Sequence, residues 1–228
     1  MFYRIKPLDT LFFRDGRPFT MGAETWANLI FPPYPTTVYG SIRSWLIFEK
    51  GNLKDFENGK FESELGTPNN KGSLKITGVF IELNDILRFP IPKDLLEPKK
   101  NNKILSSIDL IQRPKIFISD YDLDYILVNK SDEKLDEAKG FLDSINLVDY
   151  LEGKKINLKS TDIKEVFERE HKIGIKRNRK TLSSEESYLY RIPMIRLKKE
   201  ASLFVQIEGL NSYPEQGLIQ LGGESKTA

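Results

Sequence analysis

The residues best able to do chemistry in this chain are cations set beside glycines and aromatic rings. In Phe12-Phe13-Arg14-Asp15-Gly16-Arg17-Pro18-Phe19 two guanidinium groups and three rings surround one Asp-Gly turn. Guanidinium forks grip phosphates, and aromatic faces stack on bases. A second set, Lys172, Lys176, Arg177, Arg179 and Lys180, lies within nine residues that contain no acid. A third, Gly222-Gly223, is followed closely by Lys226, and paired glycines let backbone approach a ligand closely. Each set also has a plain structural alternative. Arg14 and Arg17 can pair with Asp15 while Phe12, Phe13 and Phe19 enter the core, and Glu185 and Glu186 can neutralise the basic run. Spacing alone leaves both readings open.

His171 is the only histidine, at the head of the basic run. It is the one candidate for acid–base work on RNA, but a metal-independent ribonuclease needs a base, an acid and an oxyanion stabiliser held together. The chain offers neither a second histidine nor a Ser-His-Asp set, so no catalytic residue is assigned. Asp122 and Asp124 form a D-x-D pair without further ligands at suitable spacing, so no metal or other cofactor is expected.

The elements that must position these groups follow from periodicity. A short apolar strand opens the chain, and Pro32, Pro33 and Pro35 then hold an extended approach to a helix that Thr36 or Thr37 is expected to cap. Val38, Ile42, Trp45 and Leu46 recur at helical spacing, with Gly40, Ser41 and Arg43 in the opening turns. A helix start with small residues suits a phosphate as well as an ordinary cap. Residues 51–73 read as a surface excursion with at most a short turn. Residues 74–83 and 86–91 read as strands joined at Asn84-Asp85. Residues 97–103 read as a solvated loop, and 116–118 and 125–128 as brief strands. Two short helices separated by Gly140 are expected within 132–152, and another over 161–169. Residues 173–197 read as two strands around a basic loop, residues 203–207 as a further strand, and 211–217 as a turn-rich connection.

Several of these pieces carry a resemblance. PLDTLFFRDGRPF (7–19) followed by FPPYPTTVYGSIRS (31–44) is similar to the opening of the third-subunit family of the Cmr module, RAMP proteins of type III-B CRISPR effector complexes. RFPIPKDL (88–95), KIGIKRNRKTLSSEESYLYRIPMIRL (172–197) and IQLGGESKTA (219–228) agree with that family in order. The resemblance implies an α+β fold of two ferredoxin-like, RRM-like units with insertions. The first would span 1–130 and the second 131–228, the latter ending incomplete at the glycine-rich loop. It also implies a non-catalytic subunit that holds the five-prime handle of the CRISPR RNA (crRNA). Expected partners are the large polymerase-like subunit and the backbone RAMP subunits. The expected RNA contacts are Arg14, Arg17, Thr36, Arg43, Lys172, Lys176, Arg177, Arg179, Lys180, Gly222, Gly223 and Lys226. The alternative within the superfamily is a RAMP endoribonuclease that processes precursor crRNA, which often carries a histidine near its first helix; residues 38–50 have none. A protein-only adaptor is the third reading.

Composition sets outer limits. The 228 residues carry 35 basic and 33 acidic side chains, a net charge of +2, so a nucleic-acid site must be local. Residues 120–137 hold seven acids against two lysines, opposite in sign to the basic run. There is no cysteine, no run of 18 apolar residues and no apolar leader ahead of Lys6, Asp9 and Arg14. A cytoplasmic protein without a membrane role is expected.

Overall fold

The structure is a computed structural model that describes residues 1–17, 27–99, 104–130, 132–154 and 158–228. Phe19, Lys100 and Lys103 fall outside these residues, as do the side chains of Glu185 and Glu186. The architecture is α+β with antiparallel pairing throughout the described ladders. Two compact units emerge, one from residues 1–85 with 166–228 and one from 86–165, whereas the sequence reading divided the chain at 130.

The first unit begins with β1 (Phe2–Ile5), α1 (Pro35–Lys50), α2 (Leu53–Glu57), α3 (Glu62–Leu65) and β2 (Lys75–Leu83). The second contains β3 (Ile86–Pro90), β4 (Leu95–Pro98), β5 (Ser106–Ser107), β6 (Asp109–Gln112), β7 (Tyr125–Val128), β8 (Leu135–Glu137), β9 (Phe141–Asp143), α4 (Ser144–Leu151) and β10 (Ser160–Thr161). A single helical turn, α5 (Ile163–Val166), leads into β11 (Phe167–Arg177), β12 (Ser184–Leu197) and β13 (Ala201–Glu208), which return the chain to the first unit.

In the first unit β13 lies between β1 and β2, with Tyr3 opposite Val205 and Leu203 opposite Ile81. Period-two alternation puts Leu203, Val205 and Ile207 on one face of β13, and all three are fully buried. The expected stripe of α1, Val38, Ile42, Trp45 and Leu46, is buried with them. Each such side chain removed from water contributes about 1.5–3 kcal/mol. On the opposite face Glu82 is buried and takes both forks of Arg4, at 2.5 and 2.7 Å, while Ser202 Oγ donates to it at 2.7 Å. Three neighbouring strands are thereby tied by one carboxylate.

The second unit is cored by Leu95, Leu105, Leu142 and Leu158, with Leu147 and Tyr150 packed against them. The Tyr150 hydroxyl donates to Asp94 at 2.8 Å.

The expected strands at 74–83, 86–91, 125–128 and 203–207 are present, and Asn84 and Asp85 take φ of 54° and 60° as their turn requires. Other expectations are corrected. Residues 51–73 hold α2 and α3, because Phe56 and Leu65 are buried anchors and Asn52 caps α2. The first of the two helices expected within 132–152 is replaced by strands. Leu135–Glu137 finds a ladder on β4, and Gly140, at φ 109°, lies so close to Thr161 O that any Cβ would clash. The helix expected over 161–169 ends at Val166, since Phe167 enters the β11–β12 ladder opposite Leu197. Residues 116–118 are not a strand, and β5 and β6 were not anticipated.

Candidate nucleic-acid interface

Helix α1 starts at Pro35 with Tyr34 as its N-cap, and no side chain caps it, so neither Thr36 nor Thr37 does so. Pro35 has no N–H to satisfy, and the Thr37 amide turns back to Tyr34 O at 2.9 Å. The Thr36 amide has no acceptor among the described residues, and the first turn contains no acid. The positive end of the helix therefore stands uncompensated. Thr36, Gly40 and Ser44 follow one another along this side of α1, and a Cβ on Gly40 would meet nothing within 4 Å. Small residues leave the helix backbone approachable there.

The facing wall is the turn at residues 219–228. Ile219 and Ala228 exchange backbone hydrogen bonds at 2.9 Å, and the Leu221 amide donates to Lys226 O at 2.8 Å. At the tip Gly222 has φ 80°, while Glu224 and Ser225 also take positive φ. The Gly223 N–H donates to Phe12 O at 2.8 Å, and a Cβ on Gly222 would come within 2.4 Å of that oxygen. Ser41 Oγ, on α1, donates to Gln220 O at 2.5 Å. The glycines thus let the turn lie flat against residues 12–13 and be pinned to α1.

Between these walls runs an open cleft of about 470 Å³ lined by Phe13, Arg14, Tyr34, Thr36, Gly40 and Gly223, among others. Four expected contacts, Arg14, Thr36, Gly222 and Gly223, meet here. Arg14 is exposed and makes no ion pair among the described residues. Phe12 and Phe13, considered for stacking on bases, are buried. Tyr34, 57 % exposed at the mouth, is the ring in a position to stack. The sequence reading passed over Tyr34, although an aromatic between prolines ahead of a helix is a readable signal.

The other expected contacts are placed elsewhere or engaged. Arg17 reaches solvent with a loose 3.5 Å pair to Asp15. Arg43 is drawn away from the cleft: it donates to Leu65 O and Thr67 O at 2.7 Å and lies 4.8 Å over the Phe56 ring. It braces α1 against the segment after α3. Lys226 pairs with Asp9 at 3.0 Å. With Arg196 and the Thr10 amide also donating, Lys226 holds the Asp9 carboxyl down at about 2. Lys172 pairs with Glu224 at 2.6 Å, which raises the Lys172 ammonium above its ordinary value.

The β11–β12 hairpin carries the rest of the basic set. Arg177 Nε donates to Leu182 O at 2.7 Å, and Asn178 Oδ1 accepts from the Lys180 and Thr181 amides, fixing the tip. Lys176, Arg179 and Lys180 are exposed. His171 sits on β11 opposite Pro193 and is not among the residues that line the cleft.

Comparison with known proteins identifies a family. The sequence model of the family described as CRISPR-associated protein (Cas_Cmr3) matches residues 3–228. The chain is 24 % identical over 231 positions to the CRISPR system CMR subunit Cmr3 of Saccharolobus solfataricus (strain P2), covering 98 % of this chain and 60 % of that relative. It therefore spans about three fifths of the relative's length. Among solved structures, it resembles chains of the Type III-B Cmr-beta complex bound to cognate target RNA, with and without AMPPnP. The TM-score is 0.54 in both, at 17 and 18 % identity respectively, covering 100 % of this chain and 61 and 62 % of those chains. At that identity the likeness establishes a shared fold.

Proposed function

The chain belongs to the Cas_Cmr3 family of CRISPR-associated proteins, and on that premise we propose that it is a non-catalytic subunit of a type III-B effector that holds the five-prime handle of the crRNA. The observation that carries the proposal is the meeting of Arg14, the uncompensated start of α1 and the Gly222-Gly223 turn around one open cleft. Helix N-termini and exposed backbone amides take phosphate oxygens, and an unpaired guanidinium adds a charged fork. Tyr34 at the mouth supplies a face for a splayed base, the usual mode for single-stranded RNA. Arg17 and the exposed tip of the β11–β12 hairpin extend the path with phosphate contacts that hold the backbone without reading sequence.

In this reading the first unit is a ferredoxin-like unit: β1, α1, β2 and β13 come in that chain order, with insertions between them, and β13 pairs between β1 and β2. The large polymerase-like subunit and the backbone RAMP subunits complete the RNA path and supply the chemistry. Localisation follows the assembly, in the cytoplasm; no helix among the described residues is long and apolar enough to cross a membrane.

The test is a fluorescence-anisotropy titration of handle-bearing and scrambled RNA at two salt concentrations, with the protein alone and within the assembled complex. Preference for the handle, weakening as salt rises, supports the proposal. Equal binding of both RNAs in the complex overturns it in favour of a protein adaptor. Specific cleavage of repeat RNA by the purified protein, abolished in His171→Ala, overturns it in favour of a processing endoribonuclease.

A further inference from the structure

The β6–β7 hairpin of the second unit is a two-stranded sheet, and such ribbons are marginal in water without a covering surface. Its register sets Leu110 opposite Leu127 and Gln112 opposite Tyr125. These four residues share one face, which is exposed, while Ile111, Ile126 and Val128 on the other face are half-buried. The connecting loop continues the apolar surface: Ile116 is 90 % exposed and Ile118 96 %, and Phe117, Tyr121 and Leu123 are exposed beside them. Soluble domains do not ordinarily leave so many large apolar side chains in water on one projection.

The loop is nonetheless built rather than slack. The Arg113 amide donates to Asp124 O at 2.8 Å, its guanidinium donates to Tyr121 O at 2.9 Å, and the Phe117 amide closes a turn on Pro114 O at 2.9 Å. Around the apolar residues the rim is mainly acidic, with Asp120, Asp122 and Asp124 against one exposed lysine, Lys115. Asp122 has only a long 3.6 Å approach from Arg113, and Asp120 and Asp124 have no cationic partner among the described residues. Such a rim repels a phosphate backbone and complements lysines and arginines on a protein.

We infer that the 109–128 hairpin is a protein-docking arm, and that its occupant is an apolar groove with a basic rim on another protein subunit of the effector complex. The inference rests on the chain being such a subunit, but it concerns a surface separate from the cleft. Ile116, Phe117 and Ile118 insert as the anchor, and Asp120, Asp122 and Asp124 set the orientation against cations of the partner. Aromatic and aliphatic anchors inside a charged rim are the usual anatomy of a specific interface.

The test uses the full chain and each of the other purified type III-B subunits in turn, titrated by calorimetry against wild type, Ile116→Ser/Ile118→Ser and Asp120→Asn/Asp124→Asn, with handle-RNA binding measured in parallel. One subunit is expected to bind wild type, the apolar double variant to weaken that binding at least about tenfold, and the acidic double variant to weaken it less and flatten its salt dependence. Because the substituted side chains are exposed, circular dichroism and handle-RNA affinity should not change. The inference is overturned if no subunit binding responds to either variant, or if sedimentation shows that wild type self-associates and the variants abolish it. Loss of RNA binding in these variants also overturns it, by making the arm an RNA surface. Should RNA binding fail in every protein, including wild type, while subunit binding still responds, the cleft assignment falls and the arm stands.

Discussion

Lys172 Nζ stands 2.6 Å from Glu224 Oε2, so the middle of β11 and the tip of the glycine turn are joined by one ion pair at the surface. On the proposed RNA path, this pair would engage one cation and set one carboxylate beside the phosphates. Glu224→Gln is therefore expected to strengthen RNA binding, by about threefold to tenfold, and to steepen the logarithmic salt dependence by about one unit. Anisotropy titrations across a salt series measure both, and unchanged affinity would remove the hairpin from the RNA path.

Arg14 and Arg43 should separate binding from stability. Arg14→Ala is expected to weaken handle binding by about tenfold with an unaltered thermal midpoint, because the guanidinium is exposed and unpaired. Arg43→Ala removes two short bonds and one long one to backbone carbonyls and a ring contact, and should destabilise the fold by about 1–3 kcal/mol while leaving affinity alone. Denaturant unfolding alongside RNA titration distinguishes the two.

The cleft glycines should behave oppositely. Gly222→Ala places a Cβ 2.4 Å from Phe12 O at a positive φ, and a loss of about 1–3 kcal/mol with detachment of the turn is expected. Gly40→Ala meets open space inside a helix, so it should stabilise the protein by about 0.5–1 kcal/mol and yet weaken RNA binding by narrowing the phosphate approach. Higher stability with undiminished affinity would argue that no ligand reaches α1 at that point.

Acid should loosen the first unit through its paired carboxylates. The Arg4 guanidinium is the main influence holding the buried Glu82 below its ordinary value, and Lys226 does the same for Asp9, at about 2. A depressed carboxylate contributes stability that is complete above its unfolded pKa, near 4, and is lost as pH falls through the folded value. Unfolding free energy should therefore be flat in these groups above about pH 5 and fall below about pH 4. Glu82→Gln should lower stability at pH 7 and reduce the acid slope, as chemical unfolding at several pH values would show.

Much of the first unit was legible because short-range signals agreed with long-range packing. The stripe Val38, Ile42, Trp45 and Leu46 has one period and one neighbour to cover, and residues 75–83 are a β-branched run that pairs with β13. Residues 132–152 were misread where local pattern and tertiary pairing part. Leu135 and Phe141 read as parts of two helices flanking Gly140, but the ladders to Pro98 and Thr161 are contributed by residues distant in sequence. At the cleft, the types of Arg14, Gly222 and Gly223 could be read from the chain. What could not be read was that Arg43 finds the carbonyls of Leu65, at the end of α3, and of Thr67 and Asn70 beyond it, or that Glu224 lies within reach of Lys172. Both depend on where a loop ends in space, which composition does not encode.

The position of β13 orders events at the ribosome. The strand that joins β1 to β2 is made of residues 201–208, so the sheet beneath the cleft cannot close until that segment has emerged, long after β1 has been synthesised. Residues 86–165 are contiguous and free of that wait. The unit bearing the arm can thus mature first, while β1, β2 and α1 keep their apolar faces exposed to chaperones and to the slow search that distant strand pairing imposes.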